Sequence, residues 1–183
     1  QSDRSLVDVT SITGTNGQPV PTQLCGIGRD PNAGTNPLPR GSLAGSFALI
    51  TRGHCTFLSK AARAAAAGAA GLVVIDNRFG EANPIPLVLP VRSGMISDLD
   101  GASLRAYLGT RGGRAPIRIG PGVTEIVTGR SGVITSFSAG GPSAFGHQLK
   151  PDVAAPGGEI LSATLRQYTG GSPFANFDGT SMS

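Results

Sequence analysis

Between Ser46 and Asp76 two apolar runs flank an alanine-rich stretch, and no other part of the chain narrows the fold so far. Ser46-Phe47-Ala48-Leu49-Ile50-Thr51 is apolar through its middle and reads as a short strand. Leu72-Val73-Val74-Ile75-Asp76 reads as a second, buried strand. Thr56 suits a helix N-cap, because its hydroxyl accepts from the unpaired N–H groups of a first turn. The helix predicted after it runs through Lys60 and Arg63 to about Ala70, with Gly71 to close it. Alanines at most of its positions let it lie close against a sheet. Strand, helix and strand in this order predict a βαβ unit, and so an α/β fold class.

The flanks add further elements. Residues 1–20 read as strand and turn, with Leu6, Val7 and Val9 leading to an Asn16-Gly17 turn signal. Pro21 to Gly45 is rich in Gly, Pro and Asn and reads as loop. Pro86 to Val91 is predicted as a strand. Asp98-Leu99-Asp100-Gly101 opens a helix with Leu104, Tyr107 and Leu108 on one face, ended by Gly109. Ala115 to Ile119 is a closing strand. After Pro121-Gly122 the character of the chain changes.

Composition excludes several functions. The 183 residues suit one large or two small domains. With 28 Gly, 14 Pro and only 14% charged residues, turns and strands outweigh long surface helices. The chain has no Trp and 5% aromatic residues, which argues against a stacking platform for nucleic acid. Its net charge of +4 comes from scattered arginines with no phosphate-binding cluster. The longest apolar run, Ala64 to Ile75, is too short and too alanine-rich for a membrane span. No signal peptide opens the chain, and Gln1 reads as a processing or cloning boundary. Two cysteines, Cys25 and Cys55, allow one disulfide or two buried thiols. Cys25, His54 and Cys55 lack a metal-binding spacing.

Arg52-Gly53-His54-Cys55-Thr56-Phe57, followed by a helix with Ala65-Ala66-Ala67-Gly68-Ala69-Ala70-Gly71, resembles the protease-associated (PA) domain. That domain carries an Arg-Gly-x-Cys-x-Phe turn before a helix ending Ala-Ala-Gly-Ala. The likeness covers roughly residues 20–120. It implies an α/β domain of the swivelling β/β/α type, without catalytic residues of its own, that shapes substrate access or contacts partners.

A second resemblance lies in the last third. Leu149-Lys150-Pro151-Asp152-Val153-Ala154-Ala155-Pro156-Gly157-Gly158 and Asp178-Gly179-Thr180-Ser181-Met182-Ser183 resemble the nucleophile end of the subtilisin-like serine proteases. Gly132 to Ser143 resembles the segment that resumes their catalytic domain, with Ala139-Gly140-Gly141-Pro142 where many members have Ser-Arg-Gly-Pro. The resemblance implies that Ser181 is the nucleophile, supported by Gly179, Thr180 and Met182. A serine at the start of a helix sits among unpaired N–H groups that favour a nearby oxyanion. A serine hydroxyl needs a base, and the aspartate, histidine and oxyanion asparagine of the family come earlier in its chain order. Their surroundings do not occur here, where His54 and His147 are the two histidines. A triad of Asp152, His147 and Ser181 is a minor alternative. The chain stops two residues after Ser181, so it reads as a piece of a protease that is inactive alone.

Together the resemblances imply a lead-in strand over 1–19, a PA domain over 20–122 and the C-terminal part of a truncated, subtilisin-like parallel-sheet domain over 123–183. They imply a secreted endopeptidase, extracellular or at a cell surface, acting on protein or peptide substrates. On that implied secretion, Cys25 and Cys55 are expected to be joined. No cofactor or metal is expected within the chain, and calcium in the longer protein is left open. Neither nucleic acid nor a membrane span is expected, whereas contact with the rest of the catalytic domain is. The alternative is a non-catalytic interaction module built on the PA domain.

Overall fold

A computed structural model describes residues 4–79, 82, 85, 88–118, 134–135, 137–158, 160–169 and 171–183. The chain divides into two compact units, Gln1–Ile85 with Leu89–Gly122, and Pro86–Val88 with Val123–Ser183.

The first unit is a five-stranded sheet with a helix against each face. Its elements are β1 (Arg4–Asp8), β2 (Phe47–Thr51), α1 (Phe57–Ala66), β3 (Gly71–Ile75), β4 (Arg92–Ile96), α2 (Asp98–Gly109) and β5 (Arg114–Ile117). The strand order is β4-β3-β2-β1-β5. β1 to β4 are parallel, and β5 runs antiparallel to β1. Alternation along each strand separates two cores. Ala48 and Ile50 join Val7, Val74 and the α1 alanines Ala61 and Ala64, under a loop that supplies Val20, Leu24, Leu38 and Leu43. Phe47 and Leu49 join Leu6, Ile75, Ala115 and Leu108 of α2 on the other face.

The βαβ unit forms as predicted, with one boundary moved. Thr56 caps α1 by accepting from the Ser59 N–H at 3.2 Å. The helix ends at Ala66 rather than near Ala70, because Gly68 takes a left-handed conformation (φ +88°) and turns the chain. Gly71 does not close the helix but opens β3. A Cβ there would lie 2.3 Å from the Phe47 ring and 2.6 Å from the Arg92 carbonyl oxygen, so two neighbouring strands exclude a side chain.

Other elements are also displaced from their sequence positions. Of the predicted strand Pro86 to Val91, Pro86 and Leu87 lie outside the described residues and Val88 to Val91 are not strand; the strand is Arg92–Ile96. Pro90 has no N–H to donate to a ladder, which favours a start beyond it. The closing strand is Arg114–Ile117, with Ile119 outside the described residues. Pro116 is tolerated there because β5 is an edge strand. Within residues 4–19, β1 lies between β2 and β5, with Leu6 buried on one face and Val7 on the other. On α2, capped by Ser97 accepting from the Asp100 N–H, Leu108 is buried and Leu104 half-buried. Tyr107 faces out instead and stacks with Arg111 at 4.6 Å.

Among its described residues the second unit contains one antiparallel pair, β6 (Ile160–Ala163) with β7 (Phe174–Phe177). The sequence predicts parallel strands near Val133 and Ile160. Val133 lies outside the described residues, Ile134 and Thr135 are not strand, and Ile160 pairs antiparallel with its neighbour along the chain. A short connection allows that pairing, whereas a parallel partner needs a long crossover. Among its described residues no hydrophobic side chain is buried, and Phe145, Leu149 and Val153 are more than four-fifths exposed. Limited proteolysis followed by mass spectrometry is expected to cut within 134–183 well before 4–118. Equal resistance of the two regions in a monomer would contradict it.

Candidate functional site

The two subtilisin-like motifs meet in the second unit. β7 delivers the chain to Asp178, and Gly179 to Met182 form a tight turn in which the Met182 N–H donates to the Gly179 carbonyl at 3.0 Å. The Ser183 hydroxyl donates to the Thr180 carbonyl at 2.9 Å. From the upstream motif the Gly157 carbonyl accepts from the Gly179 N–H at 2.9 Å. The approach needs glycine at 157, where a Cβ would lie 2.8 Å from the Gly179 carbonyl oxygen and 3.3 Å from the Ser183 Cβ. Thr180, Ser181 and Met182 are thereby presented on an exposed turn.

The minor triad is not assembled. His147 is exposed, with φ +48°, and makes no hydrogen bond to a described residue through its side chain. Asp152 pairs with Lys150. Neither contacts Ser181 through a hydrogen bond among the described residues. His54, also exposed, belongs to the first unit.

In the first unit Cys25 and Cys55 are joined, with their Cα atoms 5.7 Å apart. This removes the free-thiol and zinc readings. Among the described residues no group of three or more His, Cys, Asp or Glu side chains is placed to hold a metal.

Sequence reasoning missed what lies beneath the bridge. Lys60 is wholly buried, and its ammonium donates to the Gly53 carbonyl at 2.8 Å, to the Thr51 carbonyl at 3.3 Å and to the Gln23 carbonyl. Arg63, one turn on, donates to the Asn32 carbonyl at 2.6 Å, and the Asn36 amide donates back to the Arg63 carbonyl at 2.9 Å. Two cations of one helix therefore gather the loop that carries Cys25. Their signal was present in the sequence: charges on the face of α1 that its alanines assign to the core. A second polar group joins Asp8 to Arg105 at 2.7 Å, and Arg105 to Thr22 at 2.8 Å.

Burial first, and then the neighbouring Arg63, push the Lys60 pKa from 10.5 down to about 8. Below about pH 8 the lysine is protonated folded and unfolded alike. Between about 8 and 10.5 only the unfolded chain keeps the proton, so the lysine's contribution to stability rises with pH across that window. An NMR titration of the lysine ε-methylene, assigned with Lys60→Met, is expected to show a midpoint near 8; a midpoint at the ordinary value would mean the carbonyl cage compensates burial fully.

The PA domain family matches residues 8–104, more than half of the chain. This chain belongs to the PA domain family. The PA match spans β2, α1, β3 and β4, and so holds the bridge, Lys60 and Arg63, but not Ser181. The C5a peptidase of Streptococcus pyogenes serotype M3 (strain ATCC BAA-595 / MGAS315) is 33% identical over 153 residues, 83% of this chain and 12% of that protein. The minor extracellular protease Vpr of Bacillus subtilis (strain 168) is 31% identical over 142 residues, 76% of this chain and 17% of that protein. The subtilisin-like protease SBT5.4 of Arabidopsis thaliana is 30% identical over 191 residues, 98% of this chain and 23% of that protein. The chain thus spans between 12% and 23% of the length of these curated relatives. The resemblance to subtilisin-like proteases that carry a PA domain rests on these relatives as well as on the motifs.

Proposed function

We propose that this PA-domain chain is part of a secreted subtilisin-like serine endopeptidase in which Ser181 is the acylating nucleophile. The observation that carries the reading is the packing of Gly157 on Gly179. It holds the Pro151 to Gly158 motif against the Gly179 to Met182 turn and leaves Ser181 exposed. In the complete enzyme Ser181 attacks the scissile carbonyl while a histidine outside these 183 residues takes its proton, and water then hydrolyses the acyl-enzyme. The PA domain shapes access to that site or binds protein. Extracellular localisation accords with the Cys25–Cys55 bridge and with the extracellular relative, and no described helix is long and apolar enough to cross a membrane.

Fluorophosphonate labelling of the longer protein tests the assignment. The expected result is a single modified peptide carrying the label on Ser181, located by mass spectrometry. Labelling elsewhere, with Ser181 unmodified, refutes the nucleophile. A second reading, an interaction module without catalysis, is favoured by the domain match itself, which runs from residue 8 to residue 104, almost wholly within the first unit, and stops well short of Ser181. A longer protein that neither labels nor hydrolyses peptides would support it.

A further inference from the structure

At the end of the sheet opposite the disulfide, where β1 to β4 begin, lies a groove of about 400 Å³ lined by Arg4, Gly45, Phe47, Gly68, Ala70 and Arg92. Two loops zipped together build one wall. The Gly45 N–H donates to the Gly68 carbonyl at 3.0 Å, and the Ala70 N–H donates to the Ser46 carbonyl at 2.8 Å. Gly45 (φ +67°) and Gly68 (φ +88°) hold left-handed conformations, which keeps that wall free of side chains. The Phe47 ring lies across Gly71 and gives the groove an apolar surface.

Among the described residues its charge is positive. Arg4 Nη1 donates to the Gly45 carbonyl at 2.8 Å, which fixes that guanidinium at the rim. Arg92 is exposed at the first position of β4, and its guanidinium makes no hydrogen bond or ion pair with a described residue. No acidic side chain lines the groove among the described residues. Two arginines beside an aromatic surface match a group that is anionic at one end and apolar behind it. Guanidinium forks pair with carboxylates better than any other side chain does. The volume, near the lower end for small-ligand sites, suits about one or two residues rather than a long segment.

We propose that this groove binds a peptide carboxylate, with Arg4 and Arg92 on its oxygens and Phe47 against the aliphatic carbons behind them. Two sources share this chemistry: the free C-terminus of a peptide, and an internal Asp or Glu. The site belongs to the first unit and is independent of Ser181 and of hydrolysis.

Titration of the full ¹⁵N-labelled chain by NMR tests the proposal. The probes are acetyl-Ala-Leu as the free acid, acetyl-Ala-Leu-amide, and acetyl-Ala-Asp-Ala-amide. The free acid, the Asp peptide or both are expected to shift the Gly45, Gly68 and Ala70 amides and the Arg92 Nε–H, whereas the uncharged amide is not. Shifts with the free acid alone identify a C-terminus as the ligand, and shifts with the Asp peptide identify a side chain. Arg92→Gln, at an exposed position, is expected to keep the rest of the spectrum and to weaken binding about fivefold or more. Added salt is expected to weaken it too. The proposal is overturned if neither carboxylate peptide shifts these signals, if the uncharged amide shifts them equally, or if Arg92→Gln leaves the affinity unchanged.

Discussion

Replacing Ser181 by alanine in the longer protein is expected to lower its rate of peptide hydrolysis by roughly four powers of ten or more, through kcat with little change in KM. The serine hydroxyl forms its bond in the transition state, so its loss leaves substrate binding almost intact. What activity remains would come from an oxyanion hole and from positioning alone. A fluorogenic peptide assay on the purified variant checks this, and an unchanged rate would remove Ser181 from the mechanism. The 183-residue chain by itself is expected to show neither hydrolysis nor fluorophosphonate labelling. Ser181 here has no hydrogen-bonded base among the described residues, and Asp152 is engaged by Lys150. Labelling of the isolated chain at Ser181 would mean that a base exists within it, with His147 the first residue to suspect.

Removing the bridge with Cys25→Ser and Cys55→Ser together is expected to destabilise the first unit by about 3–4 kcal/mol. The two residues are separated by 30 positions, and opening a loop of that size restores the corresponding entropy to the unfolded chain in the chain-entropy view. The melting temperature of a unit this size should fall by about 10–20 °C. Thermal unfolding of the variant beside the oxidised chain measures it. Lys60 and Arg63 hold the same loop from below, so a loss under about 1 kcal/mol would assign its anchoring to those two cations rather than to the bridge.

The parts of this fold legible in the sequence are those with short-range causes. Thr56 announces α1 because a cap acts within one turn, and Phe47–Thr51 and Gly71–Ile75 announce strands because they are continuously apolar. What escaped has long-range causes. Gly71 resembles a helix stop until Phe47 and Arg92 are seen on either side of it. The partner of β1 is not readable from its own residues, because β5 lies more than a hundred residues later. Lys60 resembles a surface charge until the carbonyls of Gln23, Thr51 and Gly53 surround it. For the candidate site, the motif at Gly179 to Met182 was readable, but its contact with Gly157 is set by packing across the unit. The arginine groove left no mark in the sequence, since its residues are drawn from four separate stretches.

The pairing of β1 with β5 has a consequence for how such a unit travels between proteins. Arg4 sits opposite Ile117 across an antiparallel ladder, so the first and last described strands of the unit are one strand spacing apart, about 5 Å. A host chain interrupted at a surface turn needs to open by no more than that to accept the whole unit, and its own halves stay in register. The ladder works as a clasp: once it is shut, the cargo between its ends can lengthen, shorten or change its loops while the host sees the same two neighbouring attachment points.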